Sequence, residues 1–600
     1  MFRILLRSTR YRPNRLITIR AARINNWQED LAGNYEGDAW VFVLDEDMFA
    51  YGMVFKFVLG ERHWMLGNDL YLQPQAGQDY VFDDAGIDFP PATEAIVENG
   101  AVQQRFFPPN LDESIDYDVV VIGSGVGGGI VAEQAADLGL NVLLLELGSY
   151  LFPTHVGNLP RQHRIERQVS KHIWSLWDDF RVVNYDNAPG SAYQGGQGFC
   201  LGGRSVFWGG FIPRMSWWEM ARWPEPVRWY LEDTGYARAE QLLNRSLQQS
   251  PYQDQVLGYF KREFRDYLAL TAPMAVQNTD RSRAGIAAGL FSTVDLLMES
   301  QITAGPVGGD NLTINLNHAV TELQWEGDRI TGVVAHDLIS DRQRVYRGRS
   351  VVLAAGTVES AKLALLSGLN DPGNLIGQGL TDHPIYFTHF ALPAGAELHQ
   401  AEAAAKFILR HREAGQPDDQ GQPRHRYNIL IELGADFNQG RYLDPEIVAA
   451  MAAAKDRSML CELVFLFDAP LLERNRLTQN GPSYVKPLVD LHSPGISAAE
   501  WQEINRVQGE ILTALGAEPL ANTPLTPREA APGGVAHEVG SLRMGAGDGG
   551  VVDPDLRFRG YQNLYVCDLS VFPSSPAANP TLTLAALALR LSDELYARLR

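Results

Sequence analysis

Cysteine is scarce. The 600-residue chain has three, Cys200, Cys461 and Cys567, far apart and with no C-x-x-C pair. That spacing supports neither a disulfide framework nor a cysteine metal site, and no metal is expected. An unbroken apolar run of about 18 residues is missing too, so no transmembrane helix is expected. Positive charge is short: 51 Lys and Arg stand against 72 Asp and Glu, a formal net charge of −21. Nucleic-acid binding needs a basic footprint, so neither a nucleic-acid nor a membrane partner is expected. Internal repeats and low-complexity tracts are absent. What is present is ordinary for a soluble globular chain, 45% hydrophobic and 20% charged. The length suits roughly two to four domains with large cores.

Arginine is nonetheless concentrated at the start. Arg3, Arg7, Arg10, Arg12, Arg15, Arg20 and Arg23 all precede the first acid, Glu29. An acid-free, arginine-rich start is the composition of an organellar transit peptide. It is equally that of a basic strand or arm on an acidic protein, the reading we favour, with the cytoplasm as default compartment. A secretory signal is excluded, because only Ile4 to Leu6 is apolar before the next arginine.

The stretch that organises the chain is YDVVVIGSGVGGGIVAEQAADLGLNVLLLELG, residues 117–148. Val119 to Ile122 form a β-branched run without polar interruption, as a parallel strand buried on both faces would. Gly123, Gly125 and Gly128 follow in G-x-G-x-x-G spacing, then a helical segment and a second buried strand, Val142 to Leu145. Glu146 closes that strand, 146 − 123 = 23 positions after the first glycine. Gly123 permits the tight turn, Gly125 lets a pyrophosphate approach the backbone, and Gly128 lets helix and strand pack closely. The helix N-terminus offers free N–H groups and the positive end of its dipole to the phosphate. Glu146 can accept hydrogen bonds from a ribose hydroxyl. The pattern predicts dinucleotide binding and leaves FAD and NAD open.

Before this motif, residues 16–89 read as all-β: Trp40 to Leu44, Met53 to Leu59 and Tyr80 to Phe82, separated by Gly, Asp and Asn turns. The passage FKFVLGERHWMLGNDLYLQP, Phe55 to Pro74, resembles the starch-binding β-sandwich domains attached to glucoamylases. That resemblance implies Lys56, Trp64 and Asn68 as glycan contacts, with Trp27 as a second aromatic platform. An exposed indole face stacks on a pyranose ring and an Asn amide pairs with sugar hydroxyls. The alternative is that Trp64 is a core aromatic of a sandwich that only packs. Ala92 to Ser114 reads as a linker.

Beyond the dinucleotide motif, GGQGFCLGGRSVFWGG at 195–210 suggests a loop wrapped round a flat ligand. Met215 to Asp233 is tryptophan-rich, as core or as a wall of the active-site funnel. Asn311 to Ala355 returns to β structure, with a Gly327–Asp328 turn. SVVLAAGTVESAKLALL at 350–366 repeats the strand–glycine–helix logic, and it resembles the flavoprotein strand that enters an Ala-Gly turn beneath the cofactor. From Tyr386 to Gly533 strands recur, at Tyr386 to Leu392, Tyr427 to Leu433, Ser458 to Phe467 and Tyr484 to Leu491. A short helix is expected at Pro445 to Lys455, capped by Asp444. NLYVCDLSVFPSS reads as a strand ending in Asp568. Pro580 to Leu599 reads as an amphipathic helix with Asn579 as N-cap and Pro580 as first residue.

Four separated pieces together resemble the glucose–methanol–choline (GMC) flavin oxidoreductases. They are GSGVGGG with Glu146, LGGRSVFWGG, GLTDHP at Gly379 to Pro384, and the pair AHEVGSLRMG and YVCDLSVFPSSPAANPTLT. The resemblance spans about 115–600, and occurrence in this order is more specific than any one motif. It implies redox chemistry with FAD rather than a nicotinamide and a discontinuous α/β, Rossmann-like FAD domain at 115–215, 300–385 and 541–600. It also implies an α+β substrate domain with an antiparallel sheet at 216–299 and 386–540, beside the N-terminal all-β sandwich at 1–91 and the linker at 92–114. The cofactor residues it implies are Gly123, Gly125, Gly128, Glu146, Gly203, Ser205, Trp208, Gly209, Val320, Ala355, Gly356, Asp568, Pro580 and Thr581. Its catalytic pair falls on His537, in H-x-x-G-S, and Asn579, 579 − 537 = 42 positions later. A neutral imidazole can take the proton of a substrate hydroxyl while hydride leaves for flavin N5. The Asn579 amide can hold the oxygen, unless it is spent capping the helix. The helix at Pro580 would direct its positive end at the flavin.

Ser205-Val206-Phe207-Trp208 looks most like the pyranose-oxidase branch, where a histidine can bond the flavin covalently. Phe207 stands at that place, so FAD is expected to be non-covalent. The resulting expectation is an FAD-dependent oxidoreductase acting on a CH–OH group of a sugar, glycoside or related alcohol. The alternatives are a flavin-dependent lyase of the same fold, a glycan-binding protein with a non-catalytic flavin domain, and an NAD-linked dehydrogenase.

Overall fold

The computed structural model describes residues 1–8, 17–59, 63–83, 86–87, 89, 107, 109–158, 164–165, 169–170, 182–247, 250–279, 287–303, 311–400, 403–419, 421, 423–434, 458–520 and 524–600. The expected helix at Pro445 to Lys455 lies outside them, as do Arg10, Arg12, Arg15 and most of the expected linker. The chain forms two compact units. One is 1–108 with 148–151 and 336–343, and the other holds the rest.

In the first unit the arginine-rich start contributes a strand. Phe2–Arg7 alternates, with Phe2, Ile4 and Leu6 buried and Arg3 and Arg7 exposed, as a strand with one wet face should. It pairs antiparallel with Ala39–Leu44 and parallel with Asp79–Asp83. Arg3 closes an ion pair with Asp79 across that register. A second sheet centres on Ile17–Ala21 and Met53–Leu59, paired antiparallel. The two sheets bury one apolar cluster, in which Ile4 and Phe42 from the first meet Ile19, Phe55 and Phe57 from the second.

The second unit carries a mostly parallel sheet. Its parallel strands are β1 (Asp116–Ile122), β2 (Val142–Glu146), β3 (Leu312–Leu316), β4 (Arg342–Leu353) and β5 (Leu564–Val566). The order is β3-β2-β1-β4, with β5 on β4, so pieces far apart in sequence lie side by side. Register partners are Val142 with Leu312, Val119 with Val142, Val120 with Val351, and Val351 with Leu564. Every residue of β2 is buried, which is why these strands read as continuous apolar runs. Helix α1 (Val126–Asp137) joins β1 to β2, α2 (Thr357–Leu366) follows β4, and α3 (Thr581–Leu599) packs on α1.

A seven-stranded sheet forms the other layer of this unit. Tyr267–Thr271, Ala405–His411, Tyr427–Leu433, Ser458–Phe467 and Ile385–Pro393 pair antiparallel in that order. Helix Ala498–Leu515 covers one face with Ile504, Val507 and Ile511, packed against Ile429, Ile431 and Phe465. Its start is a capping box of Ser497 and Glu500. The strand expected at Tyr484 to Leu491 is not part of this sheet. Only Leu488–Asp490 is extended, and it pairs with Arg476–Thr478 and Asp186–Asn187. Pro487 lacks the N–H that a longer ladder needs. Of the tryptophan-rich stretch, Trp218 and Trp223 are core, while Trp217 and Trp229 are exposed. No helix among the described residues is long and apolar enough to cross a membrane.

Candidate active site

β1 delivers the chain into Gly123, whose φ of +98° is a left-handed conformation that side chains disfavour. A Cβ there would meet the Ala354 carbonyl oxygen at 2.5 Å. α1 starts at once, with Gly125 as N-cap and no side-chain cap. Nothing lies within 4 Å of the place a Gly125 Cβ would take, whereas a Cβ on Gly128 would overlap the Gly123 carbonyl and the Ala354 side chain. One glycine turns, one clears space and one packs. An uncapped helix N-terminus with open room before it suits a pyrophosphate.

Glu146 braces this turn. Its Oε2 accepts from the Ser124 amide at 3.0 Å and the Ser124 hydroxyl at 2.6 Å. Residues 201–210 close over it, with a Gly203 Cβ position 3.3 Å from the Gly125 Cα. Ser205 turns inward, donating to the Gly202 carbonyl at 2.6 Å and accepting from the Thr293 amide at 3.0 Å. The Trp208 indole donates to the Phe291 carbonyl at 2.7 Å, and the Trp208 carbonyl meets His155 Nε2 at 2.9 Å. Burial pushes His155 down to about 4, so it holds this loop as a neutral ring. Gly209 is exposed, and Val320 is half-buried in its strand. Ala355 and Gly356 link β4 to α2. Their amides donate to Ser360 Oγ and Asp568 Oδ2, both at 3.0 Å. Asp568 also accepts from Ser360 Oγ at 2.5 Å and the Ser570 amide at 2.9 Å, tying the end of β5 to the same turn.

His537 and Asn579 are brought together from 42 positions apart, with Asn579 Nδ2 3.4 Å from His537 Nε2. Asn579 is not the helix cap expected from its place before a proline. α3 begins at Thr581 with Pro580 as N-cap and no side-chain capping bond. The amide is therefore turned to the histidine, and its Oδ1 is buried without a partner among the described residues. Such an acceptor is costly unless a bound group donates to it. The backbone ahead of Asn579 is fixed by Glu219, which accepts from the Ala578 amide at 2.6 Å.

The third member of the cluster is His383, which the sequence reading passed over. Its Nε2 lies 2.9 Å from His537 Nδ1. The signal was GLTDHP, recognised as a motif without a role for its histidine. Two main-chain bonds between Thr381 and Val539, at 3.0 and 2.9 Å, set the two loops in register. Asp382 fixes them further, accepting from the Gly533 amide at 2.7 Å and the His383 amide at 2.9 Å. The proton order follows. An Asn N–H can only donate, so His537 Nε2 accepts. In a neutral ring Nδ1 then carries the proton and donates to His383. The base lone pair sits on Nε2, beside the amide. Burial first, then the Arg204 charge, hold His537 down to about 3, and burial and His537 hold His383 well below the ordinary histidine range.

The four residues expected at a glycan lie in the first unit. Trp27, at a φ of +71°, stands edge-on to Trp64 with ring centroids 5.8 Å apart, and both are half-exposed. Arg20 lies over the Trp64 ring at 5.3 Å. Lys56 Nζ donates to the Gly67 carbonyl at 2.9 Å and so pins the turn that carries the exposed Asn68.

One unit thus carries a glycine turn at the end of a parallel strand and a histidine–amide pair brought together from distant parts of the chain. Two family models described as GMC oxidoreductase match residues 298–385 and 498–588. An uncharacterized GMC-type oxidoreductase of Mycobacterium tuberculosis is 26% identical over 48% of this chain, which spans 59% of that relative's length. The C-glycoside 3-oxidase of Microbacterium trichothecenolyticum is 26% identical over 80% of this chain and 98% of its own. Among solved structures, formate oxidase of Aspergillus oryzae RIB40, studied for FAD modification, superposes with a TM-score of 0.57 at 16% identity, covering 81% of this chain and 99% of that one. The fold is that of the GMC oxidoreductases, and the two matched stretches are similar to that family's models.

Proposed function

We propose that the protein is an FAD-dependent oxidoreductase that oxidises a CH–OH group of a sugar, glycoside or related alcohol. The observation that carries this is the His537 Nε2 lone pair facing the Asn579 amide, in a tautomer set by His383. The uncapped start of α1, the open space at Gly125 and the uncapped start of α3 fit FAD. Gly123, Gly125, Gly128 and Glu146 would hold its dinucleotide end, while Gly203, Ser205, Trp208, Ala355, Gly356, Asp568, Pro580 and Thr581 would hold the rest. Bound FAD supplies a two-electron acceptor for the hydride that leaves the carbinol carbon. His537 takes the hydroxyl proton at Nε2, Asn579 holds the oxygen, and His383 keeps the ring in orientation. The sugar or glycoside class draws support from the C-glycoside 3-oxidase relative, of whose chain nearly all is matched. An anaerobic panel of alcohols, sugars and glycosides, read by bleaching of the flavin's visible absorbance, tests the proposal. A bound flavin that no member of the panel reduces would point to the lyase or the non-catalytic alternative.

Asn579→Ala should slow flavin reduction at least about tenfold and leave thermal stability nearly unchanged. The helix loses no cap, because Pro580 occupies that place. A loss of about 1 kcal/mol of stability with normal reduction would instead be the mark of a capping residue.

FAD is held without a covalent bond, because Phe207 has no nucleophilic atom to offer. Acid precipitation of the purified protein should leave all yellow colour in the supernatant. Colour in the pellet would assign the bond to another residue.

For the first unit we propose glycan binding at the Trp27–Trp64 edge, supported by the shared exposure of the two rings and by an exposed Asn68. Trp64→Ala in the full chain should weaken maltooligosaccharide binding by more than about 1 kcal/mol. Turnover of small substrates should not change. Calorimetric titration that finds no binding by the unaltered protein removes the proposal.

A further inference from the structure

Among the charged residues in the recognised motifs that have no assigned role, Arg204 and Glu538 form a pair. Glu538 follows His537 in the chain, and its carboxylate is almost wholly buried. It accepts from Arg204 Nη1 at 2.9 and 3.3 Å and from the Tyr193 hydroxyl. The Arg204 side chain is 21% exposed against 2% for Glu538. Its Nε and Nη2 make no hydrogen bond among the described residues. Most arginine–carboxylate pairs among the described residues join more exposed side chains, such as Arg238 with Asp593. Burying a charge pair costs desolvation that its attraction barely offsets, so a buried pair beside a reacting histidine is poor value for stability alone. The clamp leaves one edge of a guanidinium open, held by residues 334 positions apart.

We propose that Arg204, braced by Glu538 and Tyr193, is a positioning residue whose fixed positive charge sets the proton balance between His537 and the substrate oxygen it serves. The inference rests on the reading of His537 as the base. A cation there opposes protonation of the imidazole before substrate arrives, and it favours the alkoxide over the hydroxyl as the proton leaves. His383 and Asn579 contact His537, and Arg204 is held near it through its bonds to Glu538, the next residue in the chain, with its charge acting on the ring. The groups acting on Arg204 are Glu538, Tyr193 and Tyr185. Glu359 accepts from the Tyr185 hydroxyl at 3.0 Å, and its carboxylate is also 3.3 Å from Lys362. Burial and the Glu538 charge push Asp382 up to about 7, so near neutrality this second carboxyl is only partly ionised. Glu538 is the carboxyl group bonded directly to the arginine.

The sign of the effect is fixed by this arrangement. Removing the cation raises the His537 pKa, so the acid limb of flavin reduction moves to higher pH. Arg204→Met should shift that limb, and the His537 titration read by ring-15N histidine NMR, upward by at least about one pH unit. Its maximal reduction rate should fall at least about tenfold. Arg204→Lys keeps the charge without the fork, so it should restore the titration but not the full rate. Glu538→Gln leaves the cation uncompensated, so acetate, followed by its perturbation of flavin absorbance, should bind the holoenzyme several-fold more tightly. Unchanged titration in Arg204→Met, or unchanged acetate binding in Glu538→Gln, overturns the inference. The NMR and acetate measurements need no turnover. They therefore stand apart from the fate of the base assignment, which falls only if His537→Ala still reduces its flavin.

Discussion

His537→Ala is expected to keep its bound flavin and to lose flavin reduction by at least about a hundredfold, the low end of what a positioned general base contributes. The substitution removes the lone pair at Nε2 and leaves Asn579 and the cofactor loops in place. The flavin should stay because no bond that shapes the glycine turn involves this ring: that turn is built by Gly123, Ser124 and Glu146. Stopped-flow reduction under anaerobic conditions separates the steps. Near-normal reduction by this variant would remove His537 from the chemistry. His383→Ala should fall between the variant and the parent, since it frees the ring to rotate without deleting it.

The second large effect lies in the glycine turn. Gly128→Ala places a methyl group against the Gly123 carbonyl and the Ala354 side chain, and the carbonyl cannot rotate aside. Overpacking of a tight interior costs roughly 1–3 kcal/mol or more. Here the strain falls on the junction of β1 and α1. The expected outcome is protein with little or no bound flavin and a clearly lowered melting temperature. Gly125→Ala meets nothing within 4 Å and should fold normally while still losing flavin, because its methyl fills the space left for the ligand. Flavin occupancy after gel filtration, with thermal melts of both variants, checks the pair. Full occupancy in Gly125→Ala would show that the open space is not the pyrophosphate site.

Much of this site could be read from residue order, and the exceptions have physical causes. The strands at Tyr427–Leu433 and Ser458–Phe467 were legible because nearly every residue in them is buried, which favours long apolar runs, here broken only by Asn428, Glu432 and Glu462. At Tyr484 to Leu491 the same reading failed, since Pro487 interrupts the ladder inside a run that still looks β-like. Asn579 shows a local rule overridden by a tertiary one. Asn before Pro is a good helix cap, yet the chain starts its helix one residue later and turns the amide toward His537. His383 lies 154 positions from its partner, and the Thr381–Val539 register and the Asp382 bonds bring them together. Arg204 and Glu538 are likewise paired by the fold alone. Composition placed the arginine-rich start on the surface but could not show that Phe2, Ile4 and Leu6 make it an interior strand.

The order of strands in the parallel sheet bears on biosynthesis. β1 and β2 leave the ribosome before the rest of their sheet: β3 comes 312 − 146 = 166 residues after β2, and β5 comes 564 − 122 = 442 residues after β1. At typical elongation rates the interval between β1 and β5 is on the order of half a minute. Throughout it the growing chain holds a strand edge that its later segments have yet to cover. An uncovered strand edge of this kind is the surface that chaperones shield during synthesis.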